Sequence, residues 1–456
     1  MESFEYRGLW WLPESPENKI AGNLTFSQEK GFLLDIIGAL KPYENGLMSL
    51  SQHSIILGVT TGSKKITLQN CMQVGHSISI VETSKYIANI GFVGIHIDNE
   101  EDLLFDKIQA RYTYLYDWVG ISGIEREFFP EDRASHTLKY SAPEDIEIQT
   151  HVGNIRFTFI GNTEGKWHIH NFSESTWIAL DANKEKTFDE IAKDFLFPFK
   201  ALITLGTTNA NFIEELYFFK KDYSKYPIKV YYRQSFYHQK VKEKLFPNDM
   251  LFTLSDIYEG IESRINNWLN ISEKIDSVLN LFLRYKVSTR MFQELKFLTI
   301  SQAIETYHRR VKDNKILSEE DHQDKVEEIL NNVSAEDKIW LKKILEHTNE
   351  PRLTDRIKGL LIEHKIILNP VIENLSDGNK KRNSFTSLAV RSRNFYTHYD
   401  KEDELKPAKG ENLFWLTEKL SILLQSCLLS ELGVNAEERL NLFRENSYYN
   451  HLTTKN

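Results

Sequence analysis

Cysteine is nearly absent from the 456-residue sequence, with only Cys71 and Cys427 present, one in each of two compositionally different halves. They offer neither a framework of bridges nor the four-ligand spacing of a zinc module, and a reducing compartment is expected. An excess of positive charge is missing too: 56 Lys and Arg against 65 Asp and Glu give a net charge of −9. A field of that sign repels phosphate, which excludes a general DNA-coating role and confines any nucleic-acid affinity to a local basic site. Export is not expected, because Met1-Glu2-Ser3-Phe4-Glu5 has acids where a signal peptide has a basic region. No apolar run is suited to a bilayer: the most apolar late stretch, Leu413 to Leu432, is broken by Glu418, Lys419 and Glu431 and reads as a core helix. The expectation is a soluble, cytoplasmic protein with no membrane partner.

Glycine cradles for phosphate are lacking as well. Thr61-Gly62-Ser63-Lys64 has no first P-loop glycine, and Gly91 through Gly94 does not build a dinucleotide fingerprint. Gly120-Ile121-Ser122-Gly123 is one residue short of a nucleophile elbow, so Ser122 reads as a turn residue. His168 and His170 stand two apart on an expected strand, but no nearby cysteine or carboxylate completes a ligand set. The run Asp98-Asn99-Glu100-Glu101-Asp102 lacks the alternating spacing of a calcium loop and reads as a solvated turn. No metal or other cofactor is expected.

What the sequence does contain divides in two. From Phe4 to about Arg233, short alternating or apolar runs are punctuated by Gly, Asn and Pro, the texture of strands and turns. Ile55–Val59, Lys65–Leu68, Ile90–Ile97, Ile146–Gln149 and Ile155–Phe159 are the clearest strands, and their period of two puts one face on a core, as in an antiparallel sandwich or barrel. Trp10 and Trp11 read as core in such a domain. One helix is predicted inside it from Thr187, whose hydroxyl can cap Glu190, with Pro198 expected to bend it. After Pro247 the period changes: Ile257, Ile261, Ile265, Trp268 and Leu269 share a helical face, and helices follow to about Phe443. Ser318 with Asp321 and Ser334 with Asp337 mark two helix starts. Ser376 to Asn383 reads as a loop, with a helix from about Ser384 to Tyr399. The fold class is therefore α+β multidomain, a β-rich antiparallel sandwich or barrel-like N-terminal domain followed by an all-α bundle. The boundaries expected are 1–245 for the β-rich domain, 246–288 for a helical connector, 289–446 for the helical domain and 447–456 for a tail.

The region from Asn379 to Tyr399 departs from the acidic background, carrying Lys380, Lys381, Arg382, Arg391 and Arg393 with no Asp or Glu. RNA could bind there, with Lys380, Lys381 and Arg382 as phosphate contacts. Its centre, Arg391-Ser392-Arg393-Asn394-Phe395-Tyr396-Thr397-His398-Tyr399, holds the parts that phosphodiester transesterification needs. A guanidinium can hold the scissile phosphate and neutralise its developing charge, while a histidine, with an ordinary pKa of about 6.5, can exchange a proton near neutrality. Asn394 could orient either. At about 100° per residue, Arg393 and His398 diverge by about 140°, whereas Arg391, Asn394 and His398 fall within about 60°. Either arginine can thus be the reactive one, and a two-fold dimer would let two such helices share a cleft. The competing reading is a basic helix face paired to a neighbouring acid, with His398 buried.

The segment Arg393-Asn394-Phe395-Tyr396-Thr397-His398 resembles the motif of HEPN-domain ribonucleases, an arginine, a polar residue, three variable residues and a histidine, late in an all-α region. A helix containing Gln302 to Arg309 precedes it, as the family's order of parts requires. The N-terminal part resembles that of ApeA-like anti-phage proteins, through Tyr6-Arg7-Gly8-Leu9-Trp10-Trp11-Leu12-Pro13, Ile20-Ala21-Gly22-Asn23-Leu24, Ile56-Leu57-Gly58-Val59-Thr60 and Ile66-Thr67-Leu68-Gln69-Asn70-Cys71. The resemblance implies an abortive-infection endoribonuclease that cuts RNA, tRNA or another structured RNA among the candidates, without a metal. It also implies a composite site across a homodimer and an N-terminal domain that senses a phage-derived trigger. It assigns Arg393, Asn394 and His398 to catalysis and offers Glu305 as a support for Arg393. Two other readings remain from the residues: a non-catalytic RNA- or protein-binding module, and a β platform for carbohydrate or phage protein with a merely dimerising helical part.

Overall fold

Alternating strands and periodic helices take the places that their sequence patterns require. The computed structural model describes residues 1–41, 51–77, 80–128, 136–220, 226–235, 245–288, 291–346, 348–372, 378–399 and 406–454. Two compact units result: Met1–Ile203 with Asn211–Pro247 and Thr253–Glu262, and Thr204–Ala210 with Asn248–Phe252 and Ser263–Asn456.

The first unit opens with β1 (Phe4–Trp11), β2 (Ile20–Ser27), β3 (Gly31–Ile37), β4 (Gln52–Thr60), β5 (Lys65–Ser77) and β6 (Thr83–Val93). All pair antiparallel in the order β6-β3-β2-β1-β4-β5, and β5 pairs again with β6, which closes a barrel. Closure removes the edges that an open sheet would expose. Inside lie Trp10, Leu24, Phe26, Phe32 and Ile36. Two glycines make room for the largest of them: a Cβ on Gly58 would stand 2.2 Å from the Trp10 ring, and one on Gly91 would stand 2.4 Å from Phe32.

Beyond the barrel come β7 (Phe105–Tyr112), α1 (Leu115–Val119), the hairpin β8 (Ile124–Phe128) and β9 (His136–Tyr140), β10 (Ile146–Thr150), β11 (Gly153–Lys166) and β12 (Ile169–Lys186). Then follow α2 (Phe188–Ile191), α3 (Phe197–Thr207), β13 (Ile213–Phe219) and β14 (Ile228–Tyr232). β14 joins β6 at Ile90–Val93, extending the sheet as β14-β13-β7-β12-β11-β10. The Thr187 cap forms as a reciprocal box with Glu190. Ahead of Pro198 the chain makes a π turn over Ala192–Leu196, where the missing proline N–H interrupts the α-helical ladder. Two expectations are corrected here. The strand read over Ile90–Ile97 stops at Val93 because Gly94 turns to φ +121°, and His168 lies in the turn between β11 and β12, off the strand that carries His170.

The second unit is helical: α4 (Ile261–Lys274), α5 (Asp276–Val287), α6 (Gln293–Val311), α7 (Glu319–Asn331), α8 (Ala335–Leu345), α9 (Leu353–Glu363), α10 (Lys365–Val371), α11 (Gly378–His398), α12 (Gly410–Glu431), α13 (Ala436–Glu445) and α14 (Ser447–Thr454). Ser318 and Ser334 cap α7 and α8 by accepting the amides of Asp321 and Asp337. α6 is central, packing against α5, α9, α11 and α12 through Phe297, Ile300, Ile304 and Tyr307. α12 is buried on nearly every side, and no described helix is long and apolar enough to cross a membrane. The loop read from Ser376 to Asn383 is corrected for its described part: α11 begins at Gly378, so Lys380, Lys381 and Arg382 are helical. Lys and Arg are good helix formers, and no proline interrupts the stretch. Ser376 and Asp377 lie outside the described residues.

Candidate active site

α11 owes its orientation to Phe385, Ala389, Ser392 and Tyr396, which recur at helical spacing and are buried. Its C-terminal end is clamped by a single carbonyl-and-amide pair: the Ser392 hydroxyl accepts from the Ala408 amide at 2.8 Å, and the Tyr396 hydroxyl donates to the Ala408 carbonyl at 2.9 Å. The helix stops where Tyr399 takes a left-handed backbone, φ +53°, with its N–H still bonded to the Phe395 carbonyl.

Arg393 borders the buried stripe and therefore turns toward α6. Its Nη2 donates to Glu305 Oε2 at 3.4 Å, and its Nη1 to Asn394 Oδ1 at 3.4 Å. Both bonds are long, and a third of the side chain is exposed, so the guanidinium is positioned without being saturated. Asn394 is half-buried beside it. The His398 side chain is exposed and makes no hydrogen bond or ion pair among the described residues. Arg391 is half-buried, with a buried Nε that has no hydrogen-bond partner among them. Lys380 is exposed, while Lys381 and Arg382 are half-buried. Arg393, Asn394 and Glu305 are thus brought together, and His398 is not joined to them, in line with the divergence that the helical period imposes. Of the competing reading, the paired arginine is present and the buried histidine is not.

Sequence reasoning missed the charges behind Glu305. One turn on along α6, Arg309 Nη2 lies 3.7 Å from Glu305 Oε1 and 3.2 Å from Glu350 Oε2. Glu350 also meets Arg356 at 3.4 Å. Arg356 is only 1% exposed, and it donates to the Pro351 carbonyl at 2.9 Å and to His308 Nδ1 at 3.2 Å. Because arginine only donates, His308 must accept there and keep its proton on Nε2. Burial first, then the neighbouring Arg356 cation, holds the His308 imidazole below its ordinary pKa. The Glu305-to-Arg309 spacing of four was a legible helical pair. Glu350 and Arg356 carried no such signal.

Deeper in the unit, His364 is fully buried, with Nδ1 2.8 Å from the Ser426 hydroxyl and Nε2 3.4 Å from Cys427 Sγ. Burial, reinforced by Arg439, lowers its pKa from 6.5 to about 4. Cys427 is itself buried, and burial pushes its thiol up, so it carries no reactive thiolate near neutrality. Among the described residues, no group of three or more His, Cys, Asp or Glu side chains is arranged to hold a metal ion.

Comparison with known families places both parts. The model described as ApeA N-terminal domain 1 matches residues 5–268, more than half of the chain, and the model described as Apea-like HEPN matches residues 298–438. The second span contains α9, α11 and α12, most of α6, and therefore Glu305, Arg393, Asn394 and His398. No curated protein and no solved structure matches the chain.

Proposed function

The chain belongs to the ApeA N-terminal domain 1 family and carries an Apea-like HEPN domain, and from that premise we propose that it is an anti-phage endoribonuclease whose N-terminal domain controls cleavage. The observation that carries this reading is the half-exposed Arg393 guanidinium, held by Glu305 from a neighbouring helix inside the HEPN-matched span and within a basic stretch of an acidic chain. A guanidinium so placed can take a phosphodiester in a two-pronged contact and offset the charge that builds on the phosphorane.

In the reaction, the ribose 2′-oxygen loses its proton and bonds to phosphorus while the bond from phosphorus to the 5′-oxygen breaks and that oxygen gains a proton. The products are a 2′,3′-cyclic phosphate and a 5′-OH. His398 serves as general acid or base, Arg393 stabilises the phosphorane, and Asn394 orients the guanidinium. At about 100° per residue His398 and its own Arg393 leave the helix about 140° apart, so the working site pairs the arginine of one protomer with the histidine of its partner in a homodimer.

Cleavage of total RNA in EDTA tests the chemistry. Wild-type protein should leave cyclic phosphate ends, and Arg393→Ala and His398→Ala should each slow cleavage by about 10²-fold or more with the fold intact by circular dichroism. A folded His398→Ala protein that cuts at the wild-type rate, or 5′-phosphate ends that require magnesium, would refute the assignment. The lack of any orienting partner for His398 among the described residues favours one rival, a module that only binds RNA. It predicts an unchanged phenotype for His398→Ala.

A further inference from the structure

Two guanidiniums from different helices converge on one carboxylate: Arg393 reaches Glu305 at 3.4 Å and Arg309 reaches it at 3.7 Å. The pair belongs to a short chain of alternating charges that runs Arg393, Glu305, Arg309, Glu350, Arg356. His308 adds nothing to the charge, since it accepts from Arg356 in its neutral form. Three guanidiniums therefore face two carboxylates, which leaves one positive charge over among the described residues. Arg356 is not the accessible one, being 1% exposed and committed to Glu350, Pro351 and His308. The accessible guanidiniums are Arg393, at the end of the chain of charges, and Arg309, in its middle, with side chains 33% and 51% exposed.

Arg309 approaches both of its acids with Nη2, and its side chain makes no hydrogen bond among the described residues. A guanidinium that is fixed on one side and open on the other is suited to an added anion, because its donors are held in place before the ligand arrives. We propose that Arg309 is a second phosphate-binding residue of the RNA site, taking the phosphate next to the one held by Arg393, and that Glu305 spaces the two cations until RNA arrives. This rests on the ribonuclease reading above. Arg310, the next residue, belongs to a different cluster: its Nη1 donates to Asp276 and to the Lys274 carbonyl, each at 2.9 Å, and not to Glu305 or Glu350.

The test is binding of the full-length protein to a single-stranded 2′-O-methyl RNA, which has no free 2′-OH and cannot be cut by this route. Fluorescence anisotropy over a potassium chloride series gives the slope of log affinity against log salt. Each lost phosphate contact should reduce that slope by about 0.7. Arg309→Ala is expected to lower it by that amount, as Arg393→Ala should, while Arg309→Lys keeps the slope and Arg310→Ala leaves it unchanged. Arg309→Gln carries the same comparison should the alanine protein fail to fold. A wild-type slope in folded Arg309→Ala or Arg309→Gln overturns the inference alone, provided that Arg393→Ala still lowers it. Failure of the wild-type protein to bind the RNA at all overturns both this inference and the function on which it rests.

Discussion

The imidazole of His364 ties the stability of the helical unit to pH, and its burial sets the direction of the effect. The ring is fully buried between Ser426 and Cys427, with Arg439 donating to the Ser426 carbonyl nearby. The acid that could favour its protonation, Glu363, lies 3.7 Å from Nε2 and is itself bonded to Lys312. The pKa falls from 6.5 in the open chain to about 4 in the fold, so the folded protein keeps the ring neutral where the unfolded chain would protonate it. Folding is then undisturbed above pH 6.5, loses stability as the pH falls below that value, and has lost nearly all of this contribution below pH 4. Integrating over the gap gives a loss of about 2 kcal/mol at pH 5 and about 3 kcal/mol at pH 4. Hydrogen exchange of peptides from α9, α10 and α12, corrected for the intrinsic effect of pH, reads this unit separately from the β unit. Protection should fall by about 20-fold between pH 7 and pH 5 from this group. In His364→Gln the starting protection is lower, but that increment should be absent. A variant whose protection falls with pH as steeply as the wild type would refute the reasoning.

Three further outcomes follow from the site and its proposed control. Mixing Arg393→Ala with His398→Ala subunits should restore about a quarter of wild-type cleavage, since half of randomly paired dimers keep one intact arginine and histidine pair; a mixture no more active than its parts, or a strictly monomeric active enzyme by sedimentation, would rule out the shared site. If Arg391→Ala proves the more damaging arginine variant in the same assay, the outward stripe of Arg391, Asn394 and His398 is the reactive face instead. For control by the β unit, a fragment from Ser288 to Asn456 is expected to be dimeric and either more toxic to growth than the full chain or unresponsive to phage. A fragment that responds to phage normally would remove that role.

Much of the fold could be read locally. The caps at Thr187, Ser318 and Ser334 form because each hydroxyl stands three residues ahead of the amide it bonds, a distance that the chain itself sets. The change from period two to helical spacing after Pro247 separates strands from helices for the same reason. The start of α11 was misjudged because Gly378 and Asn379 are weak helix formers, and composition alone hid the Lys and Arg run that continues the helix.

The sequence by itself determined that Arg393 and His398 leave their helix in different directions, since about 100° per residue admits no other outcome. It also determined that any RNA affinity must be local, because a net charge of −9 surrounds one basic stretch. Only the tertiary structure decided that the β strands close into a barrel, through the pairing of β5 with β6, because one strand's alternation is the same in an open or closed sheet. It alone set Glu350 and Arg356 in a row behind Glu305 and Arg309. Glu350 and Arg356 stand 45 and 51 residues beyond Glu305 along the chain, and no helical or strand period spans such distances; packing of separate helices is what places those charges side by side.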